Sequence, residues 1–288
     1  MISKEFEAQV KLLEDPDKQI YSIIHSRIIE KGEQAIPVLE QAWDNSVHPL
    51  VHSRIEDLIH EINFNQILNS VQSWINEGKK DWFMILFLLS KLYFQNIEKD
   101  NLFKLFSEIR NDIWLEINNN LTAYEKIQIV NHILYKKYNF SNSKTTSKSS
   151  TSFFLSELLS NKKGNDLSLG LFYLMLCESL EMPVYGICLP GNFVLAYLGN
   201  DSLDFNSDLK DEVLFYINPI NQGTVFGMHE IDVYIEKNKL EVNDDYYQPN
   251  STLSVLQYYL NNLMLSLERD GQNEKIEELS KIIKILNA

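Results

Sequence analysis

The chain has 288 residues, 44% of them hydrophobic, ample material for one large or two smaller cores without help from a metal or a disulfide. Against 26 Lys and Arg stand 40 Asp and Glu, a net charge of −14 that repels phosphate backbones and anionic bilayers, so neither nucleic acid nor membrane is expected as a partner. The two cysteines, Cys177 and Cys188, sit in apolar surroundings and suit a reducing compartment better than a disulfide framework. No apolar run follows Met1-Ile2-Ser3-Lys4-Glu5, and the most apolar run, Trp82 to Leu89, is too short to cross a bilayer, so a cytoplasmic protein without an export signal is expected.

The N-terminal half reads as helix after helix. Phe6, Val10 and Leu13 form a stripe, Asp15-Pro16-Asp17 breaks it, and Ile20, Ile23, Ile24 and Ile28 restart it until Gly32. Ile36, Leu39 and Trp43 give a third helix, and Ile55, Leu58, Ile59 and Ile62 a fourth. The helical pattern continues over 67–75, 82–94, 102–117 and 124–138, and short paired helices with breakers between them suggest a HEAT-like packing. Of His25, His48, His52, His60 and His132, only His48 and His52 have an i,i+4 spacing; Pro49 interrupts them and no third ligand is in view, so surface histidines and no metal are expected.

Residues 141–152, Ser-Asn-Ser-Lys-Thr-Thr-Ser-Lys-Ser-Ser-Thr-Ser, have nothing apolar to bury and read as a mobile loop or linker. Phe153-Phe154-Leu155 with Leu158 and Leu159 restarts a short helix. Lys162-Lys163-Gly164-Asn165-Asp166 is then a turn into a helix that Met182-Pro183 ends. That helix carries Leu167, Leu169, Leu171, Phe172, Leu174, Met175 and Leu176 on all sides, so it is expected to be buried rather than amphipathic. Afterwards the period changes to that of strands: Val184 to Leu189, a Pro190-Gly191 turn, Phe193 to Leu198, a polar loop over 199–211, Val213 to Ile217, and a short fourth strand over Thr224 to Met228. From Ser251 two antiparallel helices close the chain, with Leu253, Leu256, Leu260, Leu263, Met264 and Leu267 on one stripe and Ile276, Leu279, Ile282, Ile283 and Leu286 on the other.

Four ordered motifs carry a resemblance: Lys162-Lys163-Gly164-Asn165 with Ser168-Leu169, then Pro183-Val184-Tyr185-Gly186, then Leu189-Pro190-Gly191-Asn192-Phe193, then Phe215-Tyr216-Ile217-Asn218-Pro219. In this order and spacing the chain resembles the transglutaminase-like superfamily, specifically its bacterial SirB-type branch. The resemblance implies an α+β protein with a helical N-terminal domain, a papain-related core in which a buried helix packs on a small antiparallel sheet, and a C-terminal helical pair. The boundaries expected are 1–140, a linker or loop over 141–152, a core over 153–250, and a helical hairpin over 251–288.

Active members of that superfamily use a Cys at the helix start, a His on the following strand pair and an Asp after the third strand. The dipole and imidazole activate the thiol, and the carboxylate orients the imidazole. Carried across, those positions hold Asp166, Asn192 and Asn218. A carboxylate at a helix N-terminus is expected to have a low pKa, which suits a cap and not an acyl-transfer nucleophile, and an amide is no general base. The other candidates are weak: Cys177 lies about 16 Å along the helix from Asp166, Cys188 is an apolar strand thiol, Ser168 has no local histidine, and His229 only follows the third-strand motif. The expectation is therefore no catalytic residue and no cofactor, with Asp166, Asn192 and Asn218 lining a cleft that binds an unknown protein or peptide. The alternative is a papain-like peptidase, acyltransferase or hydrolase working with non-standard groups.

Overall fold

The computed structural model describes residues 4–78, 81–94, 97–143, 149–199 and 209–287; the centre of the Ser/Thr tract and most of the expected 199–211 loop lie outside them. The chain forms two compact units, Met1–Ser73 and Trp74–Ala288. In the first, α1 (Lys4–Lys11), α2 (Lys18–Lys31), α3 (Ile36–Asn45) and the start of α4 (Pro49–Asn76) bury Leu13, Ile28, Leu39, Ile55 and Leu58 in one apolar core. Asp17 caps α2 through the Gln19 amide at 2.7 Å, as the Asp-Pro-Asp break requires. Arg54 holds the same corner, donating to the carbonyls of Leu13 and Asp15 at 2.8 and 2.7 Å while its guanidinium lies 4.3 Å from the Tyr21 ring centre.

The apolar runs at 55–62 and 67–75 belong to one helix, because nothing between them, Asn63-Phe64-Asn65-Gln66, breaks a helix. Pro49 sits at its first position, where its missing N–H costs nothing. His52 thus faces back onto the end of α3, its Nε2 2.7 Å from the Ser46 carbonyl and 3.1 Å from that of Trp43, whose indole it stacks on.

The second unit begins with α5 (Trp82–Tyr93), α6 (Lys99–Glu116) and α7 (Ala123–Asn131), the last running on into a π-helical turn, His132–Lys137. These helices pack on α8 (Leu155–Asn161) and α9 (Asp166–Ser179), so contacts do not thin out at residue 140, where the sequence suggested a boundary. The described ends of the Ser/Thr tract are ordered rather than loose. Strand β1 (Ser141–Asn142) runs parallel to β2 (Lys163–Gly164), Ser143 and Ser150 are buried, and the Ser150 amide donates to Asp270 at 2.8 Å. The hydroxyls of Ser143 and Ser152 bond to nearby backbone, donating to the carbonyls of Gly164 at 3.3 Å and Ser149 at 2.8 Å.

Helix α9 is the buried element the sequence called for: every residue from Leu167 to Cys177 is buried. It lies on an antiparallel sheet of order β3-β4-β5-β6, formed by β3 (Val184–Leu189), β4 (Asn192–Leu198), β5 (Val213–Asn218) and β6 (Thr224–Phe226). The opposite face carries Ile187, Leu189, Val194, Ala196 and Tyr216 and packs on α10 (Met228–Asn238) through Ile231 and Ile235. The expected short fourth strand is present, but it ends at Phe226 and gives way to α10, a helix absent from the sequence reading. Helices α11 (Thr252–Arg269) and α12 (Asn273–Leu286) form the closing pair. Among the described residues no helix is long and apolar enough to cross a membrane.

The approach of α9 to β4 depends on Gly170, where an added Cβ would collide with the ring of Phe193, a residue with no exposed surface. Gly170→Ala gains up to about 1 kcal/mol of helix propensity and is opposed by overpacking of about 1–3 kcal/mol. A net loss is expected, read as a lower urea midpoint with an unchanged slope; a midpoint equal to or above that of the native protein would show that the ring yields.

Candidate functional site

The start of α9 is fixed by a reciprocal cap. Asn165 Oδ1 accepts the Ser168 amide at 2.7 Å, Ser168 Oγ accepts the Asn165 amide at 3.0 Å, and Asn165 Nδ2 donates to Ser152 Oγ at 3.3 Å. Ser168 is therefore buried in a structural role, and Asn165, not Asp166, is the capping residue. Asp166, the first residue of the helix, turns its carboxylate toward three backbone amides: its own, that of Leu167 and that of Phe193 on β4.

A place at the helix N-terminus is expected to hold the Asp166 pKa low. That pKa is instead raised, because loss of water around the carboxylate outweighs the three amide hydrogen bonds that pull it down. The sequence shows the helix start and cannot show the walls that dry it. Two tyrosines lie within reach of the carboxylate's charge. Tyr234 of α10 donates to the Pro190 carbonyl at 2.8 Å, and Tyr258 of α11 donates to the carbonyls of Leu189 and Asn192 at 2.6 and 3.2 Å. Burial raises both phenol pKa values first, and the nearby charge of Asp166 raises them further. Together the tyrosines clamp the turn between β3 and β4, in which Gly191 has a φ of +77°.

Asn192 and Asn218 share a cavity of about 320 Å3 on the α10 side of the sheet, walled also by Val194, Glu230 and Tyr234. Asn192 Oδ1 accepts the Phe193 amide at 3.0 Å, the same N–H that Asp166 engages. Asn218 Oδ1 accepts the Asn221 amide at 3.3 Å and caps the short 3-10 turn Pro219–Asn221. Two of the three mapped positions thus meet in one cavity, and the third reaches the backbone beside it. No hydrogen bond among the described residues joins any two of the three side chains directly.

Strand alternation explains the arrangement. Val194 and Ala196, in phase with Asn192, face α10, whereas Phe193 lies against α9. The remaining candidates lie elsewhere. Cys177 is buried inside α9 with its thiol pKa pushed well up by burial, and Cys188 on β3 is pushed up to about 12 by the same cause. His229 is exposed on α10 and does not line the cavity. Among the described residues no group of three or more His, Cys, Asp or Glu is placed to hold a metal. The residues the sequence reading passed over are Tyr234 and Tyr258. The signal for Tyr234 was there: Gly227 with Glu230 as a capping pair, then Ile231, Tyr234 and Ile235 at helical spacing.

Helix α9 thus lies buried on an antiparallel sheet, with Asp166 at its start and Asn192 and Asn218 at the ends of β4 and β5. The chain belongs to the transglutaminase-like superfamily, whose family model matches residues 99–261, more than half of it. It is similar at 24% identity to the UPF0162 protein YchA of Escherichia coli over 55% of this chain and 56% of that one. It is similar at 23% to protein SirB1 of Salmonella typhimurium over 60% and 61%, and at 24% to the UPF0162 protein BU173 of Buchnera aphidicola over 52% of each chain. The matched region therefore spans about half to three fifths of the length of these curated relatives. No solved structure matches the chain.

A carboxyl whose pKa is raised on folding supports the folded state fully below its unfolded value of 3.8 and withdraws that support as pH rises through the folded value. Asp166→Asn, which keeps an oxygen for the amides and cannot ionise, should match the native Tm near pH 4 and exceed it by a few degrees near pH 7. A Tm difference that stays constant with pH would contradict the assignment.

Proposed function

We propose that this chain is a non-catalytic member of its superfamily, a cytoplasmic pseudoenzyme that binds a protein or peptide through the cleft around Asp166, Asn192 and Asn218. One observation carries the reading: the side chains at the three mapped positions are an acid and two amides, and each is taken up by backbone amides beside it. An acyl-transfer reaction needs a nucleophile that can be deprotonated by a neighbouring base, and the loss of one member of such a unit already costs several orders of magnitude. Polar side chains around a cavity of about 320 Å3 are suited to hydrogen-bonding a ligand that comes to rest there. In the same reading the helical region over 1–140 serves as a further protein-binding surface.

A second reading, a hydrolase with non-standard groups, is favoured by one feature. Asp166 is a carboxyl of raised pKa within electrostatic reach of two phenols, the combination that general acid chemistry exploits. Incubation of the pure protein with casein and an amine donor, and separately with simple carboxylate esters, distinguishes the two. The pseudoenzyme reading expects no product above the blank for the native protein, for Asp166→Ala or for the gentler Asp166→Asn. Turnover by the native protein that both substitutions abolish would establish the hydrolase instead.

A further inference from the structure

We infer that β6 is an acceptor edge for an extended peptide segment of a protein partner, whose side chains fall alternately into two cavities on either side of the strand. The inference rests on the binding reading above and adds the mode and the chemistry of the ligand. The sheet has two edges, and they are treated differently. The β3 edge is occupied: the Asn250 amide donates to the Gly186 carbonyl at 2.9 Å, and Asn250 Oδ1 accepts the Cys188 amide at 2.7 Å. At β6, Thr224, Val225 and Phe226 pair with Asn218, Ile217 and Tyr216 of β5, and among the described residues no hydrogen bond reaches the outer side of the strand. Unpaired strand groups of this kind template an added strand.

Most edge strands offer only backbone. This one is flanked on both faces by cavities that share Thr224 and Val225. On the α10 face lies the cavity of about 320 Å3 with Asn192, Asn218 and Glu230; on the α9 face lies one of about 440 Å3 with Tyr124, His132, Lys136 and Gln222. Both volumes are within the usual range for ligand pockets. Successive residues of an added strand point to opposite faces at a rise of about 3.3 Å per residue, so neighbouring side chains of one peptide reach one cavity each. Three residues of edge supply few backbone hydrogen bonds, so selectivity has to come from the side chains. The cavities differ in charge: exposed Lys136 and His132 on one side suit a carboxylate, while the amides and Glu230 on the other suit an amide or ammonium group. Lys136 already donates to the amide oxygen of Gln222 at 3.1 Å, a bond that a carboxylate would replace.

The test uses the full chain and a synthetic library of acetylated heptapeptides, from which the tightest binder is remade with a single N-methyl group at each position in turn. Methylation at alternate residues, those whose N–H faces β6, should weaken binding about tenfold or more, and methylation at the residues between should leave it unchanged. The exposed substitution Lys136→Glu should weaken a binder with an acidic residue at the matching position by about tenfold, and an Asp→Lys change in that peptide should restore it. Absence of any binder, or binding indifferent both to the parity of methylation and to Lys136→Glu, overturns the inference. Cleavage of a peptide that binds with the expected parity would sink the non-catalytic reading and leave the edge strand standing.

Discussion

The second unit depends on one contact, the closeness of α9 to β4 at Gly170 and Phe193. A helix buried along its whole length from Leu167 to Cys177 has no solvent face to absorb an error in position, so whatever sets its distance from the sheet sets everything attached to either. The turn that carries Asn218 shows how this spreads. Tyr173, wholly buried in α9, donates to Asn131 Oδ1 at 3.0 Å, and Asn131 Nδ2 donates to the Gly223 carbonyl at 2.8 Å. Gly223 has a φ of +69° and lies so close to Asn131 that no Cβ fits between them, while Tyr135 secures the neighbouring Pro219 carbonyl at 2.8 Å. A chain of satisfied polar groups, half-buried at Asn131, thus runs from the central helix through the α7 region to the far end of the sheet.

Two opposite charges flank the start of α9, and neither is treated as a surface charge. Asp166 keeps its amide partners and still has its pKa raised by burial. Lys162, at the end of α8 with a φ of +58°, has its ammonium 4.7 Å from the Phe140 ring centre and 6.0 Å from that of Tyr138. Its Nζ is buried with no hydrogen-bond partner among the described residues, and burial lowers its pKa against the opposing pull of Glu108. Aromatic faces stand in for water there, which compensates an ammonium only in part. The Lys-Lys-Gly-Asn segment is therefore a place where the fold accepts unfavourable electrostatics on both sides of a helix start.

Much of this was legible in the sequence, and the reasons differ by element. Helix α9 declared itself because apolar residues all around a helix admit only burial, and β3, β4 and β5 because their runs are bounded by Pro183, Gly191 and Pro219. Helix α10 escaped because Met228, His229 and Glu230 are polar or exposed, and only Ile231 and Ile235 are fully buried, too thin a stripe to stand out after a strand. The first boundary was placed by composition at the Ser/Thr tract, whereas compactness follows contacts between helices that no local pattern reveals. At the site, residue types and positions could be read, but the sign of the Asp166 shift could not. The dipole is local and visible; burial depends on elements brought in from elsewhere, and the phenols that feel the charge, Tyr234 and Tyr258, lie 68 and 92 residues further along the chain.

The two tyrosines also bear on what the site is built to do. A Pro-Gly turn joins antiparallel strands without assistance, yet here two phenols from two different helices hold the residues from Leu189 to Asn192. Tyr234 donates to the Pro190 carbonyl at 2.8 Å, and the single Tyr258 proton is directed at the Leu189 carbonyl at 2.6 Å with that of Asn192 at 3.2 Å. Each such bond contributes about 1 kcal/mol to stability, and together they remove motion from the segment that forms one wall of the cavity. Rigidity of that kind is neutral between binding and proton transfer, since both need groups held in place. It does lower the ordering cost of receiving a ligand, because the wall is set before the ligand arrives. The preorganised wall is carried by Tyr234 and Tyr258, residues outside the three mapped positions Asp166, Asn192 and Asn218.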